Sequence, residues 1–361
     1  MCVFTQILGG KTFSSKLLSA LDQHIDTDKT VVYFKYEDYD KYQGAAFYKL
    51  SDSLTSGVAI KNKLIAQDIS PENHSGLFFQ SYQLITFMHP FVKNGPTILS
   101  LDETPQTSRE WHTKVGGTSF FVRQLKFLLA WLLDHLTYKK IFNDVDFFLA
   151  RTQRVKNSLV NYYDIPADKV EVTYLPLPTL KNTNIISDSK PIRLLFIGNE
   201  YARKGGAFLL TVFDDELLEK VFLTIISTDS KFSDNLDSRI NFIQGCSHDE
   251  VLKHMAAHDI FVFPTKRDAL GLVLCEAISC GLAIITRDCG AQKELVEHGS
   301  NGYVLDYNSS VQQWKSIILH LTENHKQVAD FKKYSVEIAS KLLSPEVFSS
   351  KLEKALKVYD E

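Results

Sequence analysis

The chain is poor in cysteine and has no pattern among the few it carries. Five stand in 361 residues, Cys2, Cys246, Cys275, Cys280 and Cys289, and no two form a Cys-x-x-Cys pair. An odd count without that spacing argues against a disulfide framework and against a zinc site. Three of the five fall in one apolar stretch, where a thiol reads as a small buried hydrophobe. Reduced thiols fit a cytoplasmic protein, peripheral at most to the inner face of a membrane. Excess positive charge is missing too: 40 Lys and Arg face 43 Asp and Glu, for a net charge of -3, so nucleic acid is not an expected partner. No basic segment precedes the first apolar run, "MCVFTQILGGKTF", which reads as a strand and not as a secretory leader. The most apolar helical segment, "FLLAWLL" at 127–133, is far too short to cross a bilayer. There is no repeat of solenoid length. No GxGxxG follows a strand, which removes the dehydrogenase reading of an α/β chain.

What remains is ordinary globular material, 44% hydrophobic and 23% charged, long enough for two domains. Strand-like and helix-like segments alternate. "VFTQIL", "TVVYFKY", "QLITFMHP", "PTILSLD" and "VDFFLAR" read as strands, with helical "FSSKLLSALDQHI" and "TQRVKNSLVNYY" between them and extended "KVEVTYLPLP" after. A polar stretch without helical period, "TLKNTNIISDSK", then reads as a linker. A second set follows: strands "IRLLFIG", "FLTIIS", "DIFVFPT" and "LAIITR", helices "GGAFLLTVFDDELLEKV", "HDEVLKHMAAH", "GLVLCEAISC" and "QKELVEHG". Gly281 suits a helix C-cap. A last helix opens at Ser344 and Pro345. The expected organisation is an N-terminal domain over 1–180, a linker over 181–190, a C-terminal domain over 191–343 and a closing helix over 344–361 packing back on the first domain. Such alternation predicts parallel sheets covered on both faces: two doubly wound Rossmann-like domains facing a cleft, with ligands beyond the carboxyl ends of the strands.

Two stretches after strands carry chemistry. In "LLFIGNEYARKGGAFLL" a strand ends at Gly198 and a helix is expected near Gly205, with Arg203 and Lys204 just before it. Two cations beside free helix amides suit a diphosphate; a solvated basic turn is the plainer alternative. In "PTKRDALGLVLCEA" Asp268 falls in a loop and Glu276 in the helix that follows, with the amides of Leu270, Gly271 and Leu272 between them. Gly271 lets a ligand approach the backbone. Carboxylates accept hydrogen bonds from hydroxyls, so sugar and ribose are natural partners. Glu276 has the apolar neighbours Cys275, Ala277 and Ile278, and an unpartnered carboxylate there is costly. Asp268 could instead be a helix-capping acid.

The stretch "FVFPTKRDALGLVLCEAISCGLAIITRDCGAQKELVEHGSNGYVL" resembles the signature of the GT-B glycosyltransferases of retaining family 4, with an acid, seven residues and then Glu. "FIGNEYARKGG" is similar to that family's diphosphate segment, and "VDFFLARTQRVKNSLVNYYDIPADKVEVTYLP" to its last N-domain strand and helix. The resemblance covers most of 145–306. It implies a GT-B fold and sugar transfer from a nucleoside-diphosphate sugar to an acceptor hydroxyl with retention of configuration. Arg203 and Lys204 would neutralise the departing diphosphate, Glu276 hold the ribose, and Asp268 with the following amides hold the sugar. Gly9 and Gly10 match the glycine turn after the first strand. His89 falls where the family keeps a histidine against the donor sugar, and Asp102 follows the next strand. Two departures stand out: the first acid is Asp where Glu is commoner, and "LPLPTL" replaces the usual Gly-Val-Asp.

No DxD-like metal motif lies near these residues, so neither a metal nor any cofactor beyond the donor is expected. The acceptor would be a sugar, a glycan or a lipid-linked saccharide. "SFFVRQLKFLLAWLLDHLTYKK", flanked by Arg123, Lys126, Lys139 and Lys140, fits a helix lying in a membrane surface and a buried core helix alike. Two competitors remain: another GT-B enzyme, a phosphorylase or a sugar-nucleotide epimerase, and a non-catalytic subunit that binds sugar nucleotide. Arg203, Lys204 and Glu276 standing together argue against the second.

Overall fold

Short apolar runs, many of them β-branched or aromatic, form twelve strands among the described residues, and every pairing between them is parallel. The computed structural model describes residues 2–6, 30–34, 76–79, 82–85, 95–114, 137–178, 191–232 and 236–359. The strands fall into two sheets of six. The first holds β1 (Cys2–Gln6), β2 (Thr30–Phe34), β3 (Leu77–Phe79), β4 (Thr97–Leu101), β5 (Phe147–Ala150) and β6 (Val170–Val172), in the order β2-β1-β3-β4-β5-β6. The second holds β7 (Ile192–Ile197), β8 (Val221–Ser227), β9 (Asn241–Gln244), β10 (Ile260–Phe263), β11 (Ala283–Arg287) and β12 (Gly302–Leu305), in the order β12-β11-β10-β7-β8-β9. β3, β4, β5, β10 and β11 are buried at every residue, as parallel strands covered on both faces must be.

The chain forms two compact units. One comprises Met1–Tyr174 with Phe348–Glu361, the other Leu175–Val347. The first has a core of Phe79, Leu99, Phe142, Phe148, Leu159 and Tyr163. The second is built on Leu194, Phe196, Leu223, Ile225, Val262, Ile285 and Trp314.

The order of the second sheet positions the site. From β7 the chain winds outward to β8 and β9, then returns to lay β10 on the other side of β7, pairing Ile260 with Leu194. The winding reverses there. A crevice opens at such a point outside the carboxyl ends of the two neighbouring strands. Those ends are Ile197 and Phe263, and the sequence-derived candidates of this unit follow them directly.

Three local expectations change. Among the described residues the third strand is not in "QLITFMHP" but at Leu77–Phe79, and Tyr82–Ile85 is a helical turn; residues 86–90 lie outside the described residues. Both are short apolar runs between polar residues, which periodicity cannot tell apart. The helix expected over "GGAFLLTVFDDELLEKV" is two, Gly206–Val212 and Asp215–Leu218, because Asp214 caps the second by accepting from the Leu217 N–H at 3.2 Å. "QKELVEHG" contributes only the 3₁₀ turn Gln292–Glu294. Gly281 does follow its helix in the left-handed region, at φ 68°. Ser344 does cap the helix Pro345–Leu356, its hydroxyl accepting from the Val347 N–H at 3.3 Å. The expected linker, the first helix and most of the "SFFVRQLKFLLAWLLDHLTYKK" segment lie outside the described residues. No described helix is long and apolar enough to cross a membrane.

Candidate functional site

The loop after β7 runs from Gly198 through Glu200, which sits in the left-handed region at φ 62°, into the short helical turn Tyr201–Lys204. The Asp229 carboxylate fastens that turn, accepting from the Tyr201 N–H at 2.8 Å. Gly205 follows at φ 80°, and a Cβ there would lie 2.3 Å from the Pro264 carbonyl oxygen. Only glycine allows both that dihedral and that approach. The β7 loop is therefore pressed against the end of β10.

Hydrogen bonds stitch the two loops together. The Lys266 N–H donates to the Arg203 carbonyl at 2.9 Å. The buried Thr265 hydroxyl lies 3.3 Å from that same carbonyl and 3.2 Å from the carbonyl of Arg267. Arg203 Nη1 donates to the Arg267 carbonyl at 2.8 Å. Thr265 was not marked by sequence reasoning; a lone threonine after a strand carries no pattern of its own.

These bonds bring the expected cations onto the expected acid. Lys204 Nζ lies 2.5 Å from Asp268 Oδ2, and Arg203 Nη1 lies 3.7 Å from the same oxygen. The ammonium also stands 5.0 Å over the Phe263 ring, and the Lys204 stem crosses Gly198. The other edge of the Arg203 guanidinium is held by Glu200, through Nε at 2.8 Å and Nη2 at 2.5 Å. That fork holds the Glu200 carboxyl below its ordinary range and raises Arg203 above its own.

The Asp268 backbone is fixed separately. Its carbonyl accepts from Gln292 Nε2 at 3.3 Å, and a Cβ on Gly290 would lie 2.2 Å from it. Gln292 and Gly290 come from the loop after β11, a contribution that no spacing in the sequence announced. Cys289 in that loop is buried, and burial pushes its thiol up to about 12, with the Asp268 charge adding to the effect. Cys275 and Cys280 are buried too, as the reading of thiols as core hydrophobes expects.

Beyond Asp268, Leu270 is buried and Gly271 stands at φ 86° ahead of the helix Leu272–Ser279. Leu272, the first helical residue, is 36% exposed. The opening amides of a helix have no intrahelical partner. Glu276 is the fifth residue of this helix and is nearly buried. His248 Nε2, at the start of the helix His248–Ala257, lies 3.8 Å from Glu276 Oε1. His248 was not among the expected residues.

The second unit thus gathers Gly198, Arg203, Lys204, Asp268, Leu270, Gly271, Leu272 and Glu276 at the carboxyl ends of β7 and β10. Asp102 belongs to the first unit. It is exposed after β4, where its charge opposes the effect of burial that pushes Arg151 down to about 10. Gly9, Gly10 and His89 lie outside the described residues. Among the described residues no group of three or more His, Cys, Asp or Glu could hold a metal ion.

Two six-stranded parallel sheets, the second carrying basic and acidic loops at its winding reversal, define an α/β protein of the GT-B class. The model of the glycosyl transferases group 1 family matches residues 181–337, and that segment is similar to this family. An uncharacterised glycosyltransferase of Methanocaldococcus jannaschii is 28% identical over 233 residues, 58% of this chain and 58% of that protein. A GDP-mannose-dependent alpha-(1-6)-phosphatidylinositol monomannoside mannosyltransferase of Mycobacterium tuberculosis is 30% identical over 114 residues, 30% of this chain and 28% of that protein. The chain spans about half the length of the curated relatives it matches first. The crystal structure of Anabaena HepE in complex with UDP and glucose has the same fold at 14% identity, with a TM-score of 0.67 over 99% of this chain and 98% of that one.

Proposed function

We propose that this protein is a retaining glycosyltransferase that moves a sugar, of hexose type, from a nucleoside diphosphate to an acceptor hydroxyl. The observation that carries the reading is the convergence of Lys204, Arg203 and Asp268 at the winding reversal of a sheet whose next helix carries Glu276. Lys204 and Arg203 receive the diphosphate and balance the charge it gains as the bond from anomeric carbon to phosphate oxygen breaks. Preorganised charge placed where charge develops is among the largest sources of rate. Glu276 accepts from the ribose hydroxyls, and Asp268 from hydroxyls of the sugar. The acceptor oxygen forms its bond on the face the diphosphate leaves, and its proton passes to the departing phosphate.

A relative that uses GDP-mannose on a phosphatidylinositol mannoside supports an acceptor drawn from glycans or lipid-linked saccharides. Work at the inner face of a membrane, as a peripheral protein, is consistent with that acceptor class. The test is donor hydrolysis and transfer with a panel of UDP-, GDP-, ADP- and TDP-sugars, the product anomer being read by NMR. Transfer with retention is expected from one donor; turnover of none overturns the reading. Turnover should also persist in excess EDTA. Activity that vanishes there and returns with magnesium or manganese overturns the metal-independent mechanism.

A further inference from the structure

Asp268 does not stand open to a sugar. One of its oxygens serves Lys204 Nζ at 2.5 Å and Arg203 Nη1 at 3.7 Å together. An oxygen shared between an ammonium and a guanidinium is also what a diphosphate offers this pair. The group assigned to the sugar therefore occupies the place assigned to the phosphate. Both cannot hold the two cations at once.

We infer that Asp268 is an exchangeable internal anion: it holds Lys204 and Arg203 while the site is empty, yields them to the diphosphate, and takes them back when the nucleotide leaves. The inference rests on the transferase reading and adds a step to it.

Charge and geometry carry the exchange. A diphosphate brings at least two negative charges against the single charge of Asp268, so the cations gain by the swap. Only the side chain needs to turn, because the Asp268 carbonyl stays under Gln292 and against Gly290. Once released, the carboxylate is an acceptor beside the bound phosphates, where the sugar must lie. When the nucleotide departs, the returning carboxylate spares Lys204, whose side chain is only 12% exposed, from standing unpaired. Asp268 thereby opposes tight binding of the product and assists its release.

Glu200 separates this from a simple effect of charge. It carries the same charge beside the same guanidinium, but it is 63% exposed and grips the Nε and Nη2 edge, away from Lys204. It stays in place when the diphosphate arrives. It is a positioning residue that, together with the Arg267 carbonyl on Nη1, fixes the guanidinium beside Lys204 and the shared oxygen.

The experiment is calorimetric titration of the full chain with inorganic pyrophosphate, UDP and GDP in metal-free buffer. The variants are Asp268→Asn, Asp268→Ala and Glu200→Gln. Removing the internal competitor should tighten pyrophosphate and the accepted nucleoside diphosphate by about ten- to a hundredfold, the scale of one charged hydrogen bond. Both Asp268 variants should shift the same way, and a damaged fold cannot tighten a ligand. Glu200→Gln should change affinity about threefold or less, as an exposed pair does. Asp268 variants that bind as the wild type does, or more weakly, overturn the exchange and leave the transferase reading standing. So does a Glu200→Gln variant that tightens binding as much as Asp268→Asn. Wild-type protein that binds neither pyrophosphate nor any nucleoside diphosphate removes both.

Discussion

Two clusters of opposite charge flank β7 and β10, one at each end. At the amino end, Arg193 grips Asp259 through Nη2 at 3.0 Å and Nε at 3.1 Å, while the Arg193 N–H reaches the same carboxylate at 3.0 Å. Lys332, from the helix His325–Ile338, adds its ammonium at 3.2 Å. The Asp259 side chain is only 4% exposed and receives four donated hydrogen bonds. At the carboxyl end, Lys204 and Arg203 share one oxygen of a partly exposed Asp268. The residue types match and the arrangements differ. The first cluster is saturated and ties three elements together. The second is a single pairing on loops, which can be traded. In a parallel sheet the amino end can be sealed for stability, and the carboxyl end must stay available for chemistry.

Asp259→Asn tests the sealed end. It leaves the buried Lys332 ammonium and the partly exposed Arg193 guanidinium short of a partner, and breaking such a pair typically costs about 3–5 kcal/mol. Chemical unfolding should show that loss in the second unit, whereas Asp268→Asn, which leaves Arg203 held by Glu200 and Lys204 over the Phe263 ring, should move the same transition by less, about 1–2 kcal/mol. Similar losses from both variants would erase the contrast. Next in size is the cation pair. Lys204→Ala or Arg203→Ala should slow transfer by roughly two orders of magnitude, or about 3 kcal/mol, with the unfolding midpoint nearly unchanged. Near wild-type turnover in both variants would remove the phosphate assignment.

Glu276→Gln sharpens the comparison within the open end. It should weaken donor and free nucleoside diphosphate alike by about 1.5–3 kcal/mol, because both contain ribose. Asp268→Asn should slow transfer while tightening the nucleotide. If the two variants shift nucleotide affinity in the same direction, the acids share one task.

The smallest effect is a pH limb at the sealed end. Burial holds His258 below its ordinary value of 6.5; the hydrogen bond to the His254 carbonyl opposes this, the charges of His254 and Arg193 add to it, and Asp259 opposes it. Its Nδ1 faces the His254 carbonyl at 2.6 Å and its Nε2 the Thr224 hydroxyl at 2.9 Å, a pattern that suits the neutral ring. Between the folded pKa and 6.5 the unfolded chain binds the extra proton, so this contribution is whole above 6.5 and fades as pH falls. Urea midpoints at pH 7.5 and 5.5 should differ in wild type and differ less in His258→Gln.

Much of this was legible in the sequence because apolar runs of four to seven residues between turn signals leave few alternatives to a parallel sheet. The signature from Asp268 to Glu276 placed the acids, and "ARKGG" placed the cations. What stayed hidden was long-range. Strand order is invisible to a local pattern, so the meeting of the β7 and β10 loops could not be read. Asp268 lies 64 residues from Lys204, and only the fold reveals that they pair. Thr265, Gln292 and His248 act through neighbours distant in the chain, and nothing in their own surroundings sets them apart.

Lysines of the helix Pro345–Leu356 close the rim of the first sheet. Lys351 Nζ donates to the Val172 carbonyl at 2.6 Å, and Lys354 pairs with Glu171, both partners being on β6, the outermost strand on that side. In biosynthesis that order matters. Residues 1–174 carry all six strands of the first sheet, yet the residues that cover the rim are translated only after the whole of 175–347. At ribosomal speed the interval is roughly ten to thirty seconds. Through it the Val172 carbonyl on β6 lacks its lysine, leaving more open the kind of edge on which nascent chains of a polysome can add to one another. Pulse proteolysis of chains stalled before and after residue 359 would time the closure. The helix works as a late-arriving guard of that rim.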